Sequence, residues 1–198
     1  VNSLSSSLNK ATPLILAGLG IAIINTVKLW NIGAEGQIFM GAIAVNLIYI
    51  NFQFSNSTSF IFILLVSSFL GGAFCILIPA VTKVLFGVNE IITTLLTNYI
   101  VIGLTIYLVN GPWKDPVDKF PHSEQYEVFE RLGKIGWGDV SWAILIVLIT
   151  VFITWLVLER SKFGMKSRFC GINPSMAFAI GLPVSFITIV SAISSGVP

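Results

Sequence analysis

The chain has 198 residues, 10% of them charged and 55% hydrophobic, with a formal net charge of +2 and a mean hydropathy of +0.91. Soluble domains carry about a quarter charged residues, so the composition excludes an ordinary soluble enzyme, and the small, scattered positive charge excludes nucleic acid as a partner. What remains is one all-α, polytopic integral membrane domain over residues 1–198, a helical bundle that at about 20 apolar residues per span has about five full spans plus a truncated sixth.

The first apolar run covers residues 11–30 and the second residues 37–54. Between them "KLWNIGAEGQIFMG", from Lys28 to Gly41, sets Asn31, Glu35 and Gln37 among three glycines. A carboxylate at the centre of a lone helix costs about 2.5–3.5 kcal/mol on the insertion scale, and each flanking Leu, Ile or Phe returns ~0.3–0.6. The neighbouring runs therefore tolerate Glu35, and two readings stay open. One is an interfacial hairpin turn; the other is a broken helix whose glycines expose backbone groups to a polar cavity.

A polar break at residues 55–59 follows, with an Asn56-Ser57-Thr58 sequon too near the membrane to make a comfortable glycan acceptor. Residues 60–86 exceed one span. Ser67, Gly71, Cys75 and Pro79 form a small-residue seam suited to close helix packing, and Pro79 is expected to kink or end the helix. After the "FGVNE" turn, residues 91–109 make a fourth run. Here Glu90, Thr94, Thr97, Asn98, Val101 and Thr105 recur at spacings of three and four, which sets them along one helical face. That face is either polar glue between helices or one wall of a solute path.

Residues 112–139 form a polar loop in which Lys114, Lys119, Arg131 and Lys134 stand among acids and the chain's one histidine, His122. A solvated charge run explains it better than a metal site, which needs several ligands. Residues 140–158 are a clean fifth span, and a sixth run starts at Pro183. Between these two spans, Arg160, Lys162, Lys166 and Arg168 outnumber Glu159, which assigns residues 159–182 to the cytoplasm and residues 112–139 to the outside. The Lys28 to Gln37 stretch then falls near the inner side. Within the basic loop, "GINPSMAFAIGLP" has Asn173 at a helix N-cap, Pro174 at the first helical position and Gly181 at the stop. It encodes a short helical knob, either a docking element for a soluble partner or a connector on the membrane surface.

Cys75 and Cys170 lie too far apart in environment to pair, and both are expected to be free thiols. The chain starts at Val1, has its first methionine at Met40 and stops within an apolar run, so it reads as a fragment. It has no P-loop and no nucleophile elbow, and no catalytic residue, metal or cofactor is expected.

"ATPLILAGLG", "NIGAEGQ", "FGVNEIITTLLTNYI", "GPWKDP" and "G-x-N-P", in this order, resemble the permease subunits of bacterial ATP-binding-cassette importers. The branch is the one for nucleosides and simple sugars, related to branched-chain amino-acid permeases. The likeness runs from Ala11 to Pro183. It implies a multi-pass protein of the bacterial inner (plasma) membrane, itself no enzyme, that pairs with a second permease, identical or paralogous. Its other partners would be cytoplasmic ATP-binding subunits, an extracytoplasmic solute-binding protein and membrane lipid. Residues 168–182 are similar to the family's coupling helices, so Arg168, Asn173, Pro174 and Gly181 are the coupling candidates. Asn31, Glu35, Gln37, Thr94 and Asn98 are the candidates for the substrate path.

The family commonly carries an arginine and then a glycine just before "NIGAEGQ", where this chain has Thr26 and Lys28. The positive charge is thus displaced by two residues, about 200° around a helix. The other functions weighed against this one are an ion-coupled secondary transporter, which wants titratable groups deep in its spans, a non-transporting membrane scaffold, and a branched-chain amino-acid permease.

Overall fold

In lipid every backbone polar group needs an internal partner, and the apolar runs of this chain meet that demand as helices. The computed structural model describes residues 2–52, 57–114, 123, 133, 135 and 140–196. Among them are eight helices: α1 (Asn2–Asn25), α2 (Ala34–Asn51), α3 (Ser57–Phe86), α4 (Glu90–Asn110), α5 (Ala143–Arg160), α6 (Lys162–Ile172), α7 (Pro174–Ala179) and α8 (Val184–Ser194). Most of the polar loop, His122 included, and Asn56 of the sequon lie outside the described residues.

Four of these helices, α1, α3, α4 and α5, are long and apolar enough to cross a bilayer, and α8 is a shorter apolar helix. The 18-residue α2 is long enough but carries Glu35, Gln37, Asn46 and Asn51. It is accommodated by packing against α3 and α4. Gly71 of the small-residue seam is the contact point with α2, where a Cβ would come within 2.7 Å of the Met40 carbonyl and 3.1 Å of the Gly41 Cα. Cys75 and Pro79, further along the seam, are buried.

Pro79 does not end its helix: α3 continues through it to Phe86. Proline leaves the carbonyl of Cys75 without its helical partner, a loss set against the burial of Pro79 itself and of Ile76 and Ala80 in the main core. On the opposite side of α3, Phe62, Val66, Leu70, Phe74 and Ile78 repeat every four residues and are exposed, Phe62 by 68%. A soluble monomer does not show such a stripe; against lipid it is the favourable surface.

The bundle has two distinct ends. At one, the Ser141 N–H donates to Asn9 Oδ1 at 3.1 Å, tying the start of α5 to α1. At the other, α6 and α7 lie beneath the α1–α2 connection, and the main apolar core is here: Ile24, Val27, Leu29, Ile76, Ala80, Cys170, Ala177, Ile187 and Ala192. This second end also gathers Lys28, Lys83, Arg160, Lys162, Lys166 and Arg168. Both cysteines are free and buried.

Candidate functional site

Helix α1 closes with tight turns, in which Thr26, Val27 and Lys28 donate to the carbonyls three residues back. Lys28 then takes a left-handed conformation, φ 55°, the one described non-glycine residue to do so. An L side chain pays about 1–2 kcal/mol there, a cost that glycine does not carry. Val27 and Leu29 face the core, whereas Lys28 and Trp30 are exposed.

From Asn31 onward the chain is clamped. Asn31 Oδ1 accepts from the Gly33 N–H at 2.8 Å, and Asn31 Nδ2 donates to Gln37 Oε1 at 2.9 Å. Across the bundle, the Ile32 N–H donates to Thr94 Oγ1 of α4 at 3.3 Å. Gly33 and Gly36 press directly on α4. A Cβ on Gly33 would sit 2.7 Å from the Thr94 carbonyl oxygen, and one on Gly36 2.7 Å from Asn98 Oδ1 and 2.9 Å from its Cα. The glycines are therefore close-approach residues, and α2 and α4 meet almost backbone to backbone.

The face that α4 offers to this contact is Thr94, Asn98 and Val101, all buried. Thr94 Oγ1 donates to the Glu90 carbonyl at 2.7 Å, and Thr97 and Thr105 donate to their own helix at 2.8 Å each. The threonines are thus internally satisfied. Gln37, 1% exposed, and Asn98, 7% exposed, are not: Gln37 Nε2 and Asn98 Oδ1 are buried atoms with no protein partner among the described residues. Leaving such an amide atom unpaired costs about 1–3 kcal/mol.

Four of the five path candidates, Asn31, Gln37, Thr94 and Asn98, thus converge on one joint. Glu35 does not join them; it is exposed on the other side of α2. Glu90, first in the α4 stripe, is instead paired with Lys83 at 2.5 Å across the Gly87 turn, whose φ is +65°. Asn89 caps α4 by accepting from the Ile91 N–H at 2.9 Å.

The coupling candidates build the second part of the site. Asn173 Oδ1 accepts from the Met176 N–H at 2.9 Å, and Pro174 opens α7. Gly181, φ +82°, closes it. The Gly181 N–H reaches the Phe178 carbonyl at 2.9 Å and the Leu182 N–H the Ala177 carbonyl at 3.0 Å, the paired bonds of a Schellman stop. The outer face of this knob is apolar: Ile172, Met176, Phe178 and Ile180 are exposed, Phe178 by 77%. Arg168 pairs with Glu159, and both side chains are about half exposed.

The knob packs directly on the connection that leads into the joint. Cys170 and Ala177 are buried in the same cluster as Val27 and Leu29, and Gly171 touches the Thr26 carbonyl so closely that a Cβ would collide with it. Burial holds the Cys170 thiol above its ordinary pKa, so it is a packing residue rather than a reactive one. Sequence reading missed α6 as a helix and this Gly171–Thr26 contact. Two signals were present: Ser161, which caps α6 by accepting from the Gly164 N–H at 3.2 Å, and glycines inside a polar helix, which mark close backbone approach.

Compared with known proteins, residues 3–197 match the family described as branched-chain amino acid transport system / permease component. The chain belongs to this family. It is 30% identical to a glucose ABC transporter permease of Haloferax volcanii, over 90% of this chain and 50% of that protein. It is 27% identical to a guanosine ABC transporter permease of Bacillus subtilis, over 96% of this chain and 55% of that one. A nucleoside ABC transporter permease of Lactococcus lactis is 23% identical, over 98% and 56%. The chain spans about half the length of these curated relatives. No solved structure matches it. Family membership and the four apolar spans make it a multi-pass protein of the cell membrane.

Proposed function

We propose that the chain is part of a transmembrane permease subunit of an ATP-binding-cassette importer, forming the path for a nucleoside or simple sugar and driven by separate ATPase subunits. The observation that carries the mechanism is the continuity of knob and joint through Cys170, Ala177, Val27 and Leu29. In this reading the basic end faces the cytoplasm, and the apolar face of α7 seats in a groove on an ATPase subunit. Closure of the ATPase pair pushes α7, the push passes through Gly171 and Thr26 to the α1–α2 connection, and α2 shifts against α4. Access then alternates between the two sides of the membrane. A second permease and an extracytoplasmic binding protein complete the assembly.

Neutral solutes suit the site. Its buried polar groups are amides and hydroxyls, and in the described spans the charged side chains stand at or near helix ends apart from the exposed Lys10 of α1, which argues against ion coupling. The glucose, guanosine and nucleoside names of the relatives support the same class. Uptake of radiolabelled guanosine and glucose by cells carrying the assembled transporter tests the reading, with leucine as competitor. Uptake of either that stops when the ATPase is disabled supports it. Uptake indifferent to the ATPase but abolished by collapsing the ion gradient contradicts it, and competition by leucine alone moves the solute to the branched-chain amino acids.

A further inference from the structure

The two unpaired amide atoms have complementary chemistry. Gln37 Nε2 is a donor, because its amide oxygen is already engaged by Asn31 Nδ2 at 2.9 Å, and Asn98 Oδ1 is an acceptor lying against Gly36, the residue before Gln37. A hydroxyl group has the chemistry for both, since it can accept from one and donate to the other. A carbonyl or an ammonium can satisfy one of the two. We infer that Gln37 and Asn98 form a subsite for one hydroxyl group of the transported solute, occluded in this conformation and exposed when α2 and α4 part.

The joint is built to part. Glycines at 33 and 36 leave no interlocked side chains between the helices at their closest points. The hydrogen bond from the Asn31-to-Gln37 stretch to α4 is the 3.3 Å contact of Ile32 with Thr94, at the long limit for such bonds. Closing the joint on two unpartnered amide atoms makes the closed form less stable than a fully paired one. Opening it presents a donor and an acceptor together.

The inference rests on the importer reading above, and its test separates the two. In the assembled transporter, uptake is compared for guanosine, 2′-deoxyguanosine and 3′-deoxyguanosine, and for glucose and its monodeoxy forms, between wild type and Asn98→Leu. Using one binding protein throughout removes its selectivity from the comparison. One deoxy form of the transported solute is expected to be disfavoured in the wild type, and Asn98→Leu is expected to shrink that preference about tenfold, the worth of one buried hydrogen bond. Asn98→Thr, which keeps an acceptor, is expected to retain it. A variant that slows every solute by the same factor overturns the subsite, as does an unchanged preference, which would mean that water alone occupies the pair.

Because Asn98→Leu removes an unpartnered acceptor, the assembled complex should keep its melting temperature or gain. A loss of about 5 °C or more, roughly what 1–2 kcal/mol produces in a domain of this size, would mean that Asn98 is bonded within the folded protein, and would also overturn it. A wild-type complex that hydrolyses ATP yet takes up neither solute class removes the importer reading and the subsite together.

Discussion

The joint and the knob sit at the same end of the bundle and solve opposite problems. In the knob the backbone is closed at both ends, by Asn173 and by the paired bonds at Gly181, while the side chains of Met176, Phe178 and Ile180 are left outward. In the joint the side chains are inward, the helices touch through glycine, and two buried amide atoms have no partner. A short helix with satisfied ends and an unsatisfied apolar face is a rigid handle. A tight seam with unpaired polar atoms is, in the proposed function, the part that moves. Under the proposed function the two regions divide the work of coupling: one holds its shape so that the other can change.

The harshest way to break the comparison is to wedge the seam. Gly36→Val places carbon into the space of Asn98 and is expected to destabilise the folded protein by about 3 kcal/mol or to force the joint open. Thermal melting of the purified permease checks this; an unchanged melting temperature would mean that α2 and α4 are not in contact. The corresponding attack on the knob is milder. Gly181→Ala strains a residue at φ +82° and Asn173→Ala removes the cap, each costing about 1–2 kcal/mol, mostly local to α7. Co-purification with the ATPase subunits and uptake should both fall, and retention of both by both variants would remove the knob from the coupling route.

Lys28→Gly sharpens the difference by relieving strain at the boundary. It is expected to stabilise the fold by up to about 1 kcal/mol, the left-handed penalty less the added freedom of the unfolded chain. A lower melting temperature would show that the lysine side chain makes a contribution larger than its strain. Glu159→Gln breaks the exposed pair with Arg168 and should change stability by under about 0.5 kcal/mol, less at high salt. A large, salt-independent loss would mean that the pair is buried in the assembly.

The smallest effect concerns Cys170. Its folded pKa is raised by burial, so the folded state holds the thiol proton more tightly than the unfolded chain does. The stability this contributes is present below the unfolded pKa and is lost as pH rises through the folded one. Maleimide labelling at pH 8 should therefore be slow compared with a free cysteine and speed up only when the knob loosens. Fast labelling of the intact protein would contradict the packing of Cys170 beside Val27.

How much of this was legible in the sequence depends on the range of the interaction that decides it. The spans followed from apolar runs, although the runs did not set every bound: α1 covers Asn2–Asn25 where the run covers residues 11–30, and α2 covers Ala34–Asn51 where the run covers residues 37–54. The knob followed from local chemistry, since Asn173, Pro174 and Gly181 act within a few residues of themselves. The α4 stripe was legible as a face, and Thr94, Asn98 and Val101 are indeed its buried members. What covers that face was not legible, because the partner glycines lie some sixty residues earlier in the chain. The same limit explains Glu35, whose outward direction is set by Gly33 and Gly36 taking the inward side. It also explains Pro79, whose helix persists through tertiary burial rather than local propensity. Helix α6 was missed because its polar sequence lacks an apolar period, and it is held by its cap and by glycine contacts to α1 and α5.

Hydrogen exchange on the assembled transporter, with and without ATP, tests the division of labour most directly. Amides of residues 29–37 are expected to change their exchange rates by about tenfold or more when ATP binds, while those of residues 176–182 stay protected throughout. Exchange that changes across the knob and stays constant across the joint would contradict it.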